Sequence, residues 1–520
     1  MLARRYGIPP DPDYFHGDME YIRAYSDYRK RAGRDAFWVD DITWNDLGLD
    51  GVFKRINPGL TTSGEQYLYH MLRAPAVEEG EYRGRESLIA LMGEDADLRL
   101  KLQMILARLG CTRRADICEA FHPSVHGRGW LAIYLLLLLC VPAGIVLAAL
   151  LPRVGVTLLL CAFLVNSTVH EFRVRRTQRD FDTVNYTVDM VFALNRVRKL
   201  KDARMDALLA PAYLSLRRLR AVIRTGGVSR IGYDPFGDSV TTVLLLDLIA
   251  YEFLKNKLGI CYEDVFAIHE HLGKIDAAIA VASYGAGLKS GCSPQIEFGA
   301  ISPYLNACGL VHPLMDRPVP NDLSTEKPML ITGSNASGKS TYLKAAALCV
   351  LMAQSLCVCP AEHFRASAFR IYSSMALSDN LPAGESYYVV ETKSLKRILD
   401  AAAGPWHVFC TIDEVLRGTN TVERIAASSA LLDALADRGA LCVAATHDVE
   451  LCRLLEGKYR MFHFEETATD SGMLFDYRLK DDPAQSRNAI RLLKILGFDE
   501  PIVERAHARA DRYLEEGIWR

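Results

Sequence analysis

The nine residues GSNASGKST, Gly333 to Thr341, constrain this chain more than any other stretch. They fit the pattern G-x-x-x-x-G-K-[ST], with Gly333, Gly338, Lys339 and Ser340 in the fixed positions, and the pattern has physical meaning only as a strand, a tight turn and a helix in that order. The glycines let the backbone curl so that its N–H groups converge on phosphate oxygens, and the start of the next helix reinforces anion binding. The neighbours supply that frame. The apolar run "MLIT" predicts a buried strand before the turn, and Thr341 to Gln354 predicts a helix after it. The expected phosphate cradle comprises Gly333, Ser334, Asn335, Ala336, Ser337, Gly338 and Thr341. Lys339 would reach the β and γ phosphates and Ser340 would ligate magnesium, so ATP and Mg2+ are the expected cofactors.

From about Pro294 onward, short apolar runs alternate with helical stretches. "MLITG", "HVFCTID" and "LCVAAT" each read as a buried parallel strand followed by a polar loop. This is an α/β layout, in which ligands sit at the carboxyl ends of the strands. "HVFCTIDEV" ends in Asp413 and Glu414. Asp413 is placed to hold magnesium through water, and Glu414 to orient or deprotonate the attacking water. "LCVAATHD" closes another strand with Thr446 and His447, where a histidine can sense the γ-phosphate; a strand-end histidine alone is more often structural. The expected catalytic set is Lys339, Glu414 and His447.

A second feature has nothing to do with nucleotides. Trp130 to Leu151 carries no charge and is long enough as a helix to span about 30 Å of hydrocarbon. After Pro152-Arg153, a shorter apolar run from Val154 to Val169 ends in Asn166, Ser167 and Thr168. Two crossings keep the flanking parts on one side. Arg113, Arg114 and Arg128 before the first run, and Arg173, Arg175, Arg176 and Arg179 after the second, place that side in the cytoplasm. A buried hairpin inside a large soluble domain is the alternative. The segment lies far from Met1, so it does not read as a cleavable signal peptide.

At 520 residues, half of them apolar, the chain is globular and expected to hold several domains. Its 13 cysteines form no C-x-x-C pair, which reads as reduced thiols and no metal site. The formal charge of -2 gives no global sign of nucleic-acid binding. The densest basic region is Arg196, Arg198, Lys199, Lys201, Arg204, Arg217, Arg218, Arg220 and Arg224, either a face towards nucleic acid or anionic lipid, or a solvated helix surface.

The segment "TGSNASGKSTYLKAAALCVLMAQSLCVCPAE" resembles the nucleotide-binding segment of the MutS family of DNA mismatch-repair ATPases. "SDNLPAGESYYVVET" is similar to the family's signature segment, which maps Ser386 and Glu391 onto it; "DEVLRGTNT" resembles its acidic strand end, and "ATHD" its switch histidine. "VFKRINPGLTTSGEQYLYHMLRAP", Val52 to Pro75, is similar to the start of the family's helical core, and Ser486 to Ala510 resembles its closing helix-turn-helix. The resemblance implies an ABC-type P-loop ATPase domain preceded by a split, mainly α-helical core, and a homodimer in which each nucleotide lies between one phosphate loop and Ser386 of the partner subunit. The expected domains are 1–125, the first helical half; 126–172, a transmembrane hairpin with spans at about 130–151 and 154–169; 173–293, the second helical half; 294–485, the ATPase domain; and 486–520, a dimerisation segment.

Only about 35 residues precede the core-like region, too few for the family's mismatch reader with its Phe-x-Glu wedge, so a variant lacking that reader is expected; Phe464 to Glu466 falls in a strand after the ATPase motifs. The family's aromatic under the adenine is replaced by Pro318 and Val319 ahead of Pro320-Asn321. Two functional classes follow. One is a membrane-anchored, Mg-dependent dimeric ATPase coupled to DNA. The other is a membrane-tethered switch acting on a protein partner, anchored in lipid through the hairpin. A transporter ranks below both, because no intramembrane charge marks a route.

Overall fold

A computed structural model describes the chain except residues 1, 11–13, 16, 113–114, 121–128, 226–237, 335–336, 376–386, 418, 470–471, 483–489, 491–496 and 517–520. It is mostly helical, with mixed α/β sheets in the C-terminal part. The described residues divide into two compact units, one of 1–35, 56–70 and 88–283, the other of 36–55, 71–87 and 284–520. Residues 36–55 and 71–87, which the sequence groups with the first helical half, thus cluster with the sheets. Apolar periodicity reports that a helix has a buried face and not which neighbour buries it.

The first unit is helical. The uncharged run forms the helix Gly129–Leu150, and the second run opens the helix Pro152–Arg198. Pro152 occupies the first turn of the latter, where its missing N–H costs nothing. Helical structure outruns the apolar stretch by almost thirty residues, since 166–198 holds no proline or glycine, although it is interrupted once. A kink falls at Thr177 (φ -113°, ψ 15°), whose hydroxyl donates back to the Arg173 carbonyl at 2.7 Å. At the hairpin tip a Cβ on Gly155 would lie 2.0 Å from the Ala148 nitrogen, so only glycine permits this approach of the two helices. Both helices are long and apolar enough to cross a membrane. Leu136, Leu150, Leu160 and Leu164 are each at least 66% exposed, so the helices are not the core of this unit.

Two further helices, Asp238–Leu244 and Leu246–Ile260, pack beside the hairpin. They cover its polar end: Asn166 Nδ2 donates to the Val243 carbonyl at 2.6 Å and His170 Nε2 lies 2.7 Å from Asp247, while within the hairpin Arg173 Nε donates to the Tyr134 hydroxyl at 2.6 Å. These contacts tie the polar end of the apolar hairpin to the rest of the unit.

The second unit holds two sheets. Strands β1 (Gln295–Glu297), β2 (Leu305–Leu310), β3 (Asn321–Thr325) and β5 (His363–Ser367) form one, in the order β1-β5-β2-β3. Strands β4 (Met329–Thr332), β6 (Arg370–Ser374), β7 (Val408–Asp413), β8 (Leu441–Ala445), β9 (Arg460–Thr469) and β10 (Gly472–Asp481) form the other, in the order β10-β9-β4-β8-β7-β6. All its neighbours are parallel except β10 against β9. β4 and β8 are buried along their whole length, as strands covered on both faces require. The three strands expected from the sequence are β4, β7 and β8, and Phe464 to Glu466 lies inside β9 as expected.

Candidate nucleotide site

The site forms where β4, β7 and β8 end side by side. β4 leads into Gly333 and Ser334, and the helix Lys339–Leu356 starts directly after Gly338. Gly333 has φ 140° and Gly338 φ 103°, and a Cβ on Gly333 would stand 2.7 Å from the Phe464 carbonyl oxygen. Both glycines are therefore demanded by the backbone.

Lys339 is buried, and its Nζ donates to the carbonyls of Gly333 at 2.6 Å and Ser334 at 2.7 Å. Burial pulls this amine down to about 8, while Glu414, Asp413 and Glu466 act in the opposite direction. Ser337 donates its hydroxyl to the Ser334 carbonyl at 2.8 Å, and the Ser334 hydroxyl bonds the Glu466 carboxylate, tying the turn to β9. Thr341 lies exposed in the first turn of the helix. Asn335, Ala336 and Ser386 lie outside the described residues.

Ser340 donates its hydroxyl to Asp413 Oδ2 at 2.5 Å, so the two residues expected at magnesium are in direct contact. A hydroxyl beside a carboxylate is a hard oxygen pair of the kind Mg2+ takes, with phosphate and water completing its shell, so these residues fit that ion. Glu414 follows with φ 59°, unusual for a residue with a side chain. Its N–H donates to the Ala445 carbonyl at 3.0 Å, Oε1 lies 2.6 Å from His447 Nε2, and Oε2 accepts from Arg417 Nε at 2.8 Å. The His447 hydrogen bond, followed by the charge of Arg417, holds the Glu414 carboxyl below the usual carboxylate range against the effect of burial. Lys339, Ser340, Asp413, Glu414 and His447 are thus brought to one place by three adjacent strands.

Three contributors, Arg417, His312 and Tyr477, are not singled out by the sequence, and a fourth, Glu391, maps there only as part of the signature segment. Arg417 braces Glu414 and also donates to the Asp413 carbonyl at 2.9 Å. Glu391, buried on the helix Tyr387–Ala402, accepts the Leu416 N–H at 2.7 Å, and Leu416 is itself at φ 60°. His312 and Tyr477 line a cavity of about 490 Å³ with Pro318, Val319, Asn321 and Lys339. Tyr477 sits at an irregularity in the β10–β9 pairing, and the Asn321 side chain clasps it by donating to the Tyr477 carbonyl (2.9 Å) and accepting from the Leu479 N–H (2.8 Å). Burial brings the His312 imidazole down to about 4, so it is neutral at pH 7. Pro318 and Val319, weighed from sequence as replacements for an aromatic, share this wall with two rings.

Comparison with known proteins agrees with this geometry. Residues 329–514 match the family model of MutS domain V. This C-terminal region belongs to the MutS family. The chain is 30% identical over 272 residues to the DNA mismatch repair protein MutS of Natronomonas pharaonis, covering 50% of this chain and 31% of that protein. To MutS of Thermus thermophilus it is 33% identical over 221 residues, 40% of this chain and 27% of that protein. To the DNA mismatch repair protein MutS 2 of Halobacterium salinarum it is 33% identical over 277 residues, 50% of this chain and 30% of that protein. The matches therefore span less than a third of each of these MutS relatives.

Proposed function

We propose that this MutS-family protein is a membrane-anchored ATPase that works as a dimer and couples ATP turnover to DNA. The observation that carries the ATPase reading is the meeting of Lys339 and Ser340 with Asp413, Glu414 and His447 at the ends of β4, β7 and β8. The Lys339 ammonium, held by two turn carbonyls, exchanges them for β and γ phosphate oxygens. Ser340 and Asp413 would hold Mg2+, which would supply charge neutralisation on the phosphate oxygens. Glu414 aligns the attacking water and accepts its proton, while His447 and Arg417 fix the carboxylate. The cavity beside Tyr477 and His312 takes the base.

Glu414→Gln should lower single-turnover hydrolysis by about 10²-fold or more while leaving ATP binding in place. Normal turnover by that variant would remove the role given to Glu414. The dimer rests on the family resemblance at Ser386, and full hydrolysis by a demonstrated monomer would contradict it. The membrane reading rests on the exposed leucines of the hairpin. The DNA reading rests on the relatives' names and on the exposed Arg196, Arg198, Lys199, Lys201 and Arg217.

A second reading, a membrane-tethered switch acting on a protein, is favoured by the ion pairs within the same basic region. Arg204 bonds Asp95 at 2.6 Å and Asp202 at 2.7 Å, and Arg218 lies 3.3 Å from Asp264, which weakens that surface towards phosphate.

A further inference from the structure

Among the 13 cysteines, Cys292 and Cys359 stand in a distinct relation. They form an isolated antiparallel bridge, in which each residue's N–H donates to the other's carbonyl at 3.0 Å. A residue pair that exchanges both bonds has its Cα atoms about 5.5 Å apart, with the side chains on one face. Disulfides span Cα separations of roughly 4.4–6.8 Å, most often about 5.5–6 Å. The bridge therefore sets the two sulfurs on one side, with Cys359 Sγ also donating to the Cys349 carbonyl at 3.7 Å. Their surroundings differ. Cys292 is half-buried, and the neighbouring Cys359 side chain holds its thiol below the usual value; Cys359 is fully buried, which pushes its thiol up.

We propose that Cys292 and Cys359 are a peroxide-reactive dithiol that closes to an intramolecular disulfide, with Cys292 as the attacking sulfur and Cys359 as the resolving one. The Cys292 thiolate attacks one oxygen of hydrogen peroxide; the S–O bond forms as the O–O bond breaks, and the departing hydroxide takes up the proton that Cys292 lost, giving water. The Cys359 sulfur then attacks the Cys292 sulfur. The S–S bond forms as the S–O bond breaks, and the Cys359 proton leaves with that hydroxide as a second water. Two thiols lose two electrons, and one peroxide gains them.

The position of the bond gives it a consequence. It closes a loop from 292 to 359 that contains β1 to β4, the phosphate turn and the helix Lys339–Leu356. Such closure restricts the unfolded chain and favours the folded second unit. Cys410 and Cys442 supply an internal contrast: they are register partners on β7 and β8, but both are fully buried, so peroxide has no access to either.

The test treats the full chain in detergent with limiting hydrogen peroxide, then blocks the remaining thiols and maps them by peptide mass spectrometry. The expected result is a dithiothreitol-reversible 292–359 cross-link that forms several-fold faster than oxidation at the exposed Cys308, with Cys410 and Cys442 still reduced, and a higher thermal midpoint for the cross-linked protein. Cys359→Ser should leave a sulfenic acid on Cys292 that dimedone captures, and Cys292→Ser should leave Cys359 unoxidised. Both variants keep the wild-type thermal midpoint in reductant if they fold normally, which separates lost chemistry from lost structure. Oxidation of Cys308 ahead of the pair, or a Cys359→Ser protein with no sulfenic acid at Cys292, would overturn the proposal.

Discussion

Glu414 carries the strain of the site. Its left-handed backbone costs on the order of 1–2 kcal/mol, and the conformation is held by the Ala445 carbonyl on its N–H and by His447 and Arg417 on its carboxylate. The pH behaviour follows. Because the His447 hydrogen bond is the largest influence lowering this carboxyl, His447→Ala should move the acid limb of kcat/KM for ATP to higher pH and reduce turnover at pH 7 about tenfold or more. A pH–rate profile checks this, and an acid limb that stays in place would show that His447 does not set the charge of Glu414. At this scale the sequence was informative where chemistry is local. Lys339, Ser340, Asp413, Glu414 and His447 were legible because each stands at a fixed place in a strand-end motif. Tyr477 and His312 were not: the pairing of β10 with β9 and the Asn321 clasp bring Tyr477 to the cavity, and His312 meets it there from a segment far away in the chain.

Among the elements, the helix Tyr387–Ala402 does more than pack. Its Glu391 accepts the Leu416 N–H and so fixes the loop that presents Glu414 and Arg417. Removing a buried acceptor leaves that N–H unsatisfied, at a cost of about 1–3 kcal/mol. Glu391→Ala should therefore lower kcat about tenfold or more while changing the KM for ATP little, with Glu391→Gln recovering part of the rate. Steady-state kinetics decide it, and a raised KM at unchanged kcat would place the residue in nucleotide binding instead.

The helix Tyr262–Gly287 of the first unit supplies a separate prediction. Its buried Asp276 bonds the Thr61 hydroxyl at 2.5 Å, and burial, with help from Glu65, raises its carboxyl to about 7. Seven residues earlier, buried His269 lies 2.9 Å from Ser63 Oγ, and burial brings its imidazole down to about 4, slightly opposed by Glu270. A raised acid is stabilising below its unfolded value of 3.8, and that contribution is lost as pH rises through 7. A depressed histidine is stabilising above 6.5, and that contribution is lost as pH falls through 4. Between pH 4 and 6.5 the two slopes oppose each other. Asp276→Asn should leave only the histidine, so the stability of the first unit should rise with pH across that window by roughly 1.4 kcal/mol per unit. Denaturant melts at several pH values in detergent measure it, and an unchanged slope would contradict the assignment of Asp276. Thr61, Ser63, His269 and Asp276 gave no sign in the sequence, because their meaning comes from helices packed at long range.

For the whole molecule, the sequence separated an α/β part with a phosphate turn from a helical part with an apolar hairpin, and both are present. The hidden features were the interleaving of 36–55 and 71–87 with the second unit and the continuation of the second hairpin helix to Arg198. Tertiary neighbours decide the first and the absence of a breaker decides the second. The helices that pack on the hairpin at Asn166 and His170 belong to the same class, since a polar end to an apolar run does not disclose what covers it.

The coupling of ATP turnover to DNA is the claim on which the account turns, and one measurement addresses it most directly: the ATPase rate of the full chain in nanodiscs, with and without duplex, mismatched and branched DNA, across a salt series. The account predicts stimulation that fades as salt rises, because contacts between basic residues and phosphates weaken steeply with ionic strength. A rate indifferent to every DNA at every salt would contradict it.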